Sequence, residues 1–424
     1  MRCMPPAATL GARAANPRHA IESPYAWWRL AVSLVLMTIG SSGMYSISVI
    51  LPSMQADFGI SRGTASVSYT VTMIGFGIGG VLMGRVADRL GVVVPVSAGA
   101  VALGLGFIAA GLAPSFTLFC MAQAVLMGLL GTSATFAPLV ADASQWFDRR
   151  RGLALAICMS GNYMAGAIWP PVMQHFIEIV GWRQTYVGIG VFCILAMVPL
   201  AQILRPRPPI PAEPAPANLG AAAAAPSTSR PFGLSPAAAQ GLLCVAGVAC
   251  CVAMSMPQVH IVAYCTDLGF GAARGAEMLS LMLAMGVASR LISGWISDRI
   301  GGLRTLLLGS VLQGVALLMF LPFDGLVSLY VVSAMFGLFQ GGIVPAYALI
   351  VRQHFSPAEA GARVGTVLMA TLFGMALGGW MSGAVFDLFG NYKAAFLNGI
   401  AWNALNLSIV LFLLYRLRSL SRPR

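Results

Sequence analysis

In the stretch ASRLISGWISDRIG, Ala288 to Gly301, Arg290 stands alone in an apolar run, eight residues before the charged pair Asp298 and Arg299. On a helix that separation is ~12 Å at 1.5 Å per residue. If the segment crosses a bilayer, the Arg290 Cα lies in the hydrocarbon, where a charge costs at least about 2.5–3.5 kcal/mol. Helical side chains lean toward their own N-terminus. Here that direction is the membrane middle, so reaching back to the headgroups near Asp298 runs against it. A planar guanidinium matches a carboxylate with two parallel hydrogen bonds, so the chemistry on offer is the binding of an organic anion at mid-depth. His260, in SMPQVHIVAYCTDLG after an expected helix break at Pro257, titrates near neutral pH. It suits proton coupling or ligand contact, and equally a neutral hydrogen bond to a neighbouring helix. Tyr45, Tyr69, Gln123, Asn162, Tyr163, Gln340 and Tyr347 are further polar groups at mid-depth. Each can line a cavity or tie helices together. Tyr45, Tyr69, Gln123 and Asn162 form with Arg290 and His260 the candidate ligand-contact set.

Other chemistries are missing from the chain. The 424 residues hold 25 basic side chains, of which only Lys393 is a lysine, so there is no GxxxxGK[ST] phosphate loop and this chain alone is not an ATP-driven pump. No HExxH helix, GxSxG elbow or buried Cys–His pair marks an enzyme. The eight cysteines fall mostly in apolar segments without a CxxC pair and read as small apolar helix residues, neither disulfides nor metal ligands. No cofactor or metal is expected.

The elements that must hold these residues are membrane helices. Hydrophobic residues make up 58% of the chain and charged ones 9%, against about 25% charged in soluble domains. Apolar runs long enough to span a bilayer lie near 28–52, 66–86, 92–112, 116–140, 152–176, 184–204, 237–264, 276–296, 303–321, 325–350, 362–386 and 394–416. The fold class is therefore all-α integral membrane, with twelve helices. The N-terminus, residues 1–26, is basic without a sustained apolar core and reads as a cytoplasmic tail, not a secretory signal. The Pro/Ala-rich stretch 205–236 reads as a cytoplasmic linker between bundles at 27–204 and 237–416, with a second tail at 417–424. The net charge of +12 does not point to nucleic acid, because the arginines recur in short loops. With both termini cytoplasmic, 20 basic residues face the cytoplasm and four, Arg62, Arg183, Arg274 and Lys393, face outward, a positive-inside bias that leaves Arg290 over. None of the thirteen carboxylates falls mid-helix.

The halves repeat. GRVADRLG, with Gly84, Asp88, Arg89 and Gly91, recurs 210 residues later as GWISDRIG, with Gly294, Asp298, Arg299 and Gly301. VGWRQTY around Gly181 is echoed by FGNYKAAF around Gly390. Gly75/Gly79 and Gly80/Gly84 on helix 2 are matched by Gly374/Gly378 and Gly379/Gly383 on helix 11, spacings that let helices approach closely. Two parallel six-helix repeats are a transporter architecture. In the paired DRxG loops glycine permits the turn, while the aspartates suit a helix start or an arginine partner, giving a latch on the cytoplasmic side. Arg149 to Arg151 mark the interface.

Two six-helix halves with GxxxDRxG after helices 2 and 8 resemble the major facilitator superfamily over about residues 27–416. WFDRRRGLALAICMSG, Trp146 to Gly161, together with GWR at Gly181, HIVAYCTDLG at His260 and FDLFGNYKAAF, is similar to its monocarboxylate transporter and oxalate–formate antiporter branch. ESPYAWW at Glu22 is a faint form of that branch's signature before helix 1. The resemblance implies the fold, two pseudo-symmetric bundles of six helices, and a carboxylate-binding arginine on helix 8 at the place of Arg290. It also shows what differs. Oxalate-type relatives carry a lysine on helix 11, and TVLMATLFGMALGGWMSG has none. One fixed positive charge favours a monoanion. Proton-coupled relatives carry an aspartate four residues before the arginine and a lysine on helix 1. Here those places are Gly286 and the neutral run YSISVILPS.

The expectation is a secondary transporter in the plasma (inner) membrane that moves a small organic anion, a monocarboxylate before others, by alternating access. A proton or a counter-anion is the candidate co-ligand. The alternatives are an exporter of drugs or amphipathic metabolites on the same fold, for which AGAIWPP near Gly166 is a partial motif, and a membrane sensor, for which the chain between helices 6 and 7 is too short to add a signalling domain.

Overall fold

The computed structural model describes residues 21–206 and 231–421. Most of the expected linker, the N-terminal tail through residue 20 and the last three residues lie outside them. The described residues form helices and turns without strands. Twelve helices among them are long and apolar enough to cross a membrane: α1 Pro24–Phe58, α2 Arg62–Leu90, α3 Val93–Gly111, α4 Phe116–Trp146, α5 Gly152–Val180, α6 Trp182–Gln202, α7 Pro236–Asp267, α8 Ala272–Ile300, α9 Gly302–Met319, α10 Leu326–His354, α11 Gly361–Phe389 and α12 Tyr392–Leu420. Most run several residues past their expected ends. α1 starts at Pro24, which puts Arg29, one of the basic residues counted as cytoplasmic, in its second turn.

Local signals set the ends. The hydroxyls of Ser23, Ser61, Ser115 and Ser235 accept from backbone N–H groups three residues on and open α1, α2, α4 and α7, as N-caps do. Pro24 and Pro236 stand in the first turns, where a missing N–H goes unnoticed. The two DRxG loops turn alike. Gly91 and Gly301 both have φ +82°, and their N–H groups donate to Ala87 O at 2.8 Å and Ser297 O at 2.9 Å. The repeat read in the sequence is thus a repeat in backbone geometry. α7 runs through Pro257 as one helix, so the expected break there does not occur.

Between the first six helices and the last six, α2 packs on α11, α5 on α8 and α1 on α7. Within the halves, the paired glycines bring backbones together: a Cβ on Gly75 or Gly79 would strike α4 at Ala124 or Leu129, and one on Gly374 or Gly378 would strike α7 at Val248 or Val252. Residues 122–132 of α4 wind as a π-helix opposite this contact.

The start of α1 is clasped by the last turns of α4 and the loop that follows them. Arg29, 2% exposed, donates two hydrogen bonds to Asp142, at 2.8 and 2.7 Å, and a third to Pro206 O at 3.1 Å. Its guanidinium also lies 4.7 Å over the Trp146 ring. Tyr25 meets Trp146 edge-on, Trp27 meets Phe147, and the Arg150 N–H donates to Glu22 Oε1 at 2.7 Å. ESPYAWW and WFDRRRGLA, read separately in the sequence, are in contact.

Removing one partner of a buried ion pair leaves the other charge uncompensated, typically at about 3–5 kcal/mol. Asp142→Asn should therefore lower the unfolding midpoint of the detergent-purified protein strongly. The double variant Arg29→Met/Asp142→Leu, which buries no charge, should recover much of the loss. A double variant no more stable than Asp142→Asn would show that the clasp stabilises in some other way.

Candidate functional site

A cavity of about 340 Å³ lies between the halves, walled by α1, α2, α4, α5, α7, α8, α10 and α11. It reaches down to Val81, Ala348 and Gly365, close in sequence to Arg85, Arg352 and Arg363 at the arginine-rich end of the bundle. Arg290 is the one charged residue on its wall among the described residues.

Three features of α5 and α8 place the guanidinium. Nη1 donates to Met159 O on α5 at 2.9 Å. The guanidinium carbon lies 4.3 Å from the centre of the Tyr163 ring, one turn along α5. Gly286, one turn before Arg290, leaves room for that ring, since a Cβ there would run into it. Nε is buried without a partner. Met159 lies ~12 Å along α5 from Arg151 at 1.5 Å per residue, so the guanidinium stays at depth and does not reach back to the headgroups.

Tyr45 and Asn162 reach the same wall but are committed to each other. The Tyr45 hydroxyl donates to Asn162 Oδ1 at 3.0 Å, and Asn162 Nδ2 donates to Ser41 Oγ at 3.2 Å. Gln258, the residue after Pro257, also faces the cavity. The sequence reading passed over it in favour of His260, although it lies in the same quoted stretch.

Tyr69, Gln123 and His260 are elsewhere. Tyr69 packs against Gly379 in the α2–α11 contact. Gln123 is buried between α2 and α6, accepting from Thr72 at 3.5 Å and donating to Tyr186 at 3.4 Å. His260 is fully buried nearer the opposite end of the bundle. Its Nε2 donates to Gly379 O at 2.8 Å, because a carbonyl can only accept, and Nδ1 is 3.1 Å from the Tyr392 hydroxyl.

That hydroxyl joins His260 to the closure of the opposite end. Arg62 at the start of α2 donates to it at 3.1 Å, to Gln55 at 3.1 Å and to Asp267 at the end of α7. Asp387 of α11 accepts from the N–H groups of Arg62 at 3.0 Å and Gly63 at 2.7 Å, a carboxylate on a helix N-terminus. Lower down, Thr70 donates to Ala376 O at 2.8 Å and Ser280 to Ala167 O. Of the hydrogen bonds between the halves among the described residues, that of Arg290 lies closest to the arginine-rich end. The basic residues expected to face outward are largely paired: Arg62 with Asp267, Arg183 with Asp57, Arg274 with Glu277.

At the arginine-rich end the motif residues make no such closure. The side chains of Asp88 and Asp298 are exposed and, among the described residues, make neither a hydrogen bond nor an ion pair. Arg89 is exposed, and Arg299 lies 3.7 Å over the Trp295 ring of its own helix. Gly84 and Gly294, like Gly80, Gly361 and Gly365, face open space.

The sequence model described as Major Facilitator Superfamily matches residues 30–337 and 278–424. Monocarboxylate transporter 13 of Bos taurus is 27% identical over 78% of this chain and 75% of its own length. Monocarboxylate transporter 11 of Homo sapiens is 26% identical over 93% and 84%. The MFS-type transporter pynF of Aspergillus niger is 24% identical over 73% and 69%. Among solved structures, the peptide transporter POT in complex with sulfate superposes with a TM-score of 0.72 at 14% identity, covering 94% of this chain and 95% of the other. A bacterial homolog of the human lysosomal transporter Spinster, inward-facing and occupied, gives 0.69 at 14% identity over 94% and 98%. These structures share the fold.

Asp267→Asn removes the charged partner of Arg62 and should weaken the closure at the opposite end. Spin labels on Ser61 and Asn391, at the tips of the two halves there, should then report a longer distance or a second, longer population. A distance distribution identical to that of the unsubstituted protein would show that the ion pair does not hold this end shut.

Proposed function

The chain belongs to the Major Facilitator Superfamily, and from that premise we propose that it is a secondary transporter, not an enzyme, moving a small organic anion, a monocarboxylate before others, across the plasma membrane by alternating access. The observation that carries this reading is Arg290, a guanidinium at mid-depth on a cavity wall that offers it no carboxylate. A bound carboxylate supplies the missing partner. The names of the relatives lend it support. Tyr45, Asn162 and Gln258 shape the site, while Tyr69 and Gln123 hold the helices around it.

With the arginine-rich end in the cytoplasm, this conformation is open inward and closed outward. Residues 27–204 and 237–416 act as the two rocking bodies. The glycines at 84, 294, 361 and 365 then mark the surfaces that meet when the cytoplasmic side closes, and the DRxG aspartates latch in that other state. With no acid on the cavity wall, exchange of one anion for another is favoured over symport through a wall carboxylate. His260, wired to the outer closure through Tyr392, is where a proton would act. The largely apolar wall gives some support to the export of amphipathic metabolites, the same site working in the other direction.

In proteoliposomes offered a panel of labelled monocarboxylates, with and without a pH gradient, Arg290→Gln should reduce saturable uptake by about 10- to 100-fold, the size of a lost charged hydrogen bond. Arg290→Lys should restore only part, lacking the planar fork. Undiminished uptake by Arg290→Gln would remove the anion assignment and leave the fold. Gly84→Leu should leave the unfolding midpoint nearly unchanged, because its side chain meets open space here, yet lower uptake by obstructing the other state. Equal uptake would argue that α2 does not close at that level.

A further inference from the structure

The cavity is unlike a site for the smallest carboxylates, and we infer that the cargo is an amphipathic monocarboxylate with a bulky apolar body, aryl or branched alkyl, whose head is held by Arg290. This rests on the reading that Arg290 binds a carboxylate and adds what lies beyond the head.

Polar capacity on the wall is small and mostly spent. Tyr45 and Asn162 bond to each other, and Asn162 also to Ser41. Thr371 donates to Leu368 O at 2.7 Å, within its own helix. With one guanidinium N–H given to Met159 O and the Tyr163 hydroxyl engaged with Arg290, the side-chain groups left on the wall, among the described residues, are the remaining donors of Arg290 and the amide of Gln258. That suffices for one carboxylate and at most one further polar atom. A second anionic group would lie in an apolar cavity without a cation, at a prohibitive desolvation cost. A hydroxylated short acid would lose its water for too few partners.

The rest of the wall is apolar. Five methionines, Met44, Met159, Met254, Met369 and Met375, face the cavity with Phe76 and Phe136. Methionine is unbranched and polarisable, fills irregular gaps and favours aromatic faces, so such a wall accepts apolar bodies of varied shape. The volume of about 340 Å³ falls in the lower part of the range of pockets for organic ligands, about 300–1,000 Å³. A carboxylate of one to three carbons would leave most of it to water held against methionine and phenylalanine.

The test is equilibrium binding to the full-length protein in nanodiscs, with protein-free nanodiscs as the blank for partition into lipid. The probes are acetate, lactate, butyrate, phenylacetate and indole-3-acetate, with phenylmalonate as a dianion and phenylacetamide as a neutral analogue of the same body. Each is run on the unsubstituted protein, Arg290→Gln and Met254→Gln. Affinity should rise about fourfold per buried methylene, and phenylacetate should bind about 10- to 100-fold more tightly than acetate. Phenylmalonate and phenylacetamide should bind poorly, Arg290→Gln should abolish the tight binding, and Met254→Gln should weaken phenylacetate more than acetate. If acetate or lactate binds as tightly as phenylacetate and Arg290→Gln abolishes both, the inference falls while the carboxylate reading stands. If phenylacetamide matches phenylacetate and neither heeds Arg290→Gln, the carboxylate reading falls and the inference with it. Absence of binding by every acid in the series overturns both.

Discussion

Arg290 cannot shed its proton to escape a low-dielectric setting, and α8 carries it ten residues, ~15 Å, from its end at Ile300. The surroundings have to make that charge tolerable without cancelling it. A backbone carbonyl and an aromatic face do so. A hydrogen bond to a charged donor contributes about 1.5–3 kcal/mol and a cation over an aromatic ring about 0.5–2. Together these are of the same order as the about 2.5–3.5 kcal/mol of placing the charge at mid-depth. Both supports come from α5, as Met159 O and the Tyr163 ring, so the charge is held across the contact between the halves. Gly286 belongs to the same arrangement. An acid four residues before the arginine would neutralise it, but any side chain there would displace Tyr163. Ring support and an acidic partner are alternatives, and this chain has the ring.

The two ends of the α2–α11 contact show one antiparallel pair in two conditions. Near the closed end, Gly63 lies against Ala384 and Asp387, Tyr69 against Gly379, Thr70 against Ala376. Followed in the same antiparallel register, the pair brings Gly80 and Gly84 opposite Gly365 and Gly361, and there a Cβ would touch nothing. Close packing favours small residues where backbones meet. Small residues with nothing to meet point to a surface whose partner arrives in another conformation.

Much of the fold was legible because the bilayer imposes long apolar runs and restricts where arginine can stand. The duplicated DRxG loops carried the repeat, and their matched glycine geometry bears this out. Arg290 was legible for the same reason: a charge in lipid is conspicuous. Less conspicuous were charges that hide by pairing within a few turns of a helix end. Arg29 stands at the very start of the expected first helix and Asp142 just past the end of the expected fourth, yet they form a buried pair. Arg62 counted as a stray outward charge, yet it organises the closed end. Their partners are 113 and 205 residues away, and nothing local announces them. The polar residues at mid-depth divided for a related reason. Depth can be read from position along a helix, but which face of the helix looks into the cavity depends on its neighbours. Tyr45 and Asn162 turn inward, Gln123 turns toward α6, and Gln258, not His260, takes the cavity face of α7.

On the proposed reading, the charge on Arg290 also constrains the transport cycle. In the open state the part of the guanidinium that faces the cavity has water. Closing the arginine-rich end over an empty cavity would strip that water from an unpaired cation facing a wall of methionine and phenylalanine, and the cost of an unpaired charge rises steeply as the medium becomes apolar. A bound carboxylate removes that cost by pairing with the guanidinium, and an apolar body displaces the remaining water. The loaded form therefore crosses more easily than the empty one. A carrier whose empty form crosses poorly returns loaded, which is anion exchange. Symport requires another way to ease the empty return. With no acid on the wall, the chain would have to find it at the outer closure, where His260, Tyr392, Arg62 and Asp267 form one connected network.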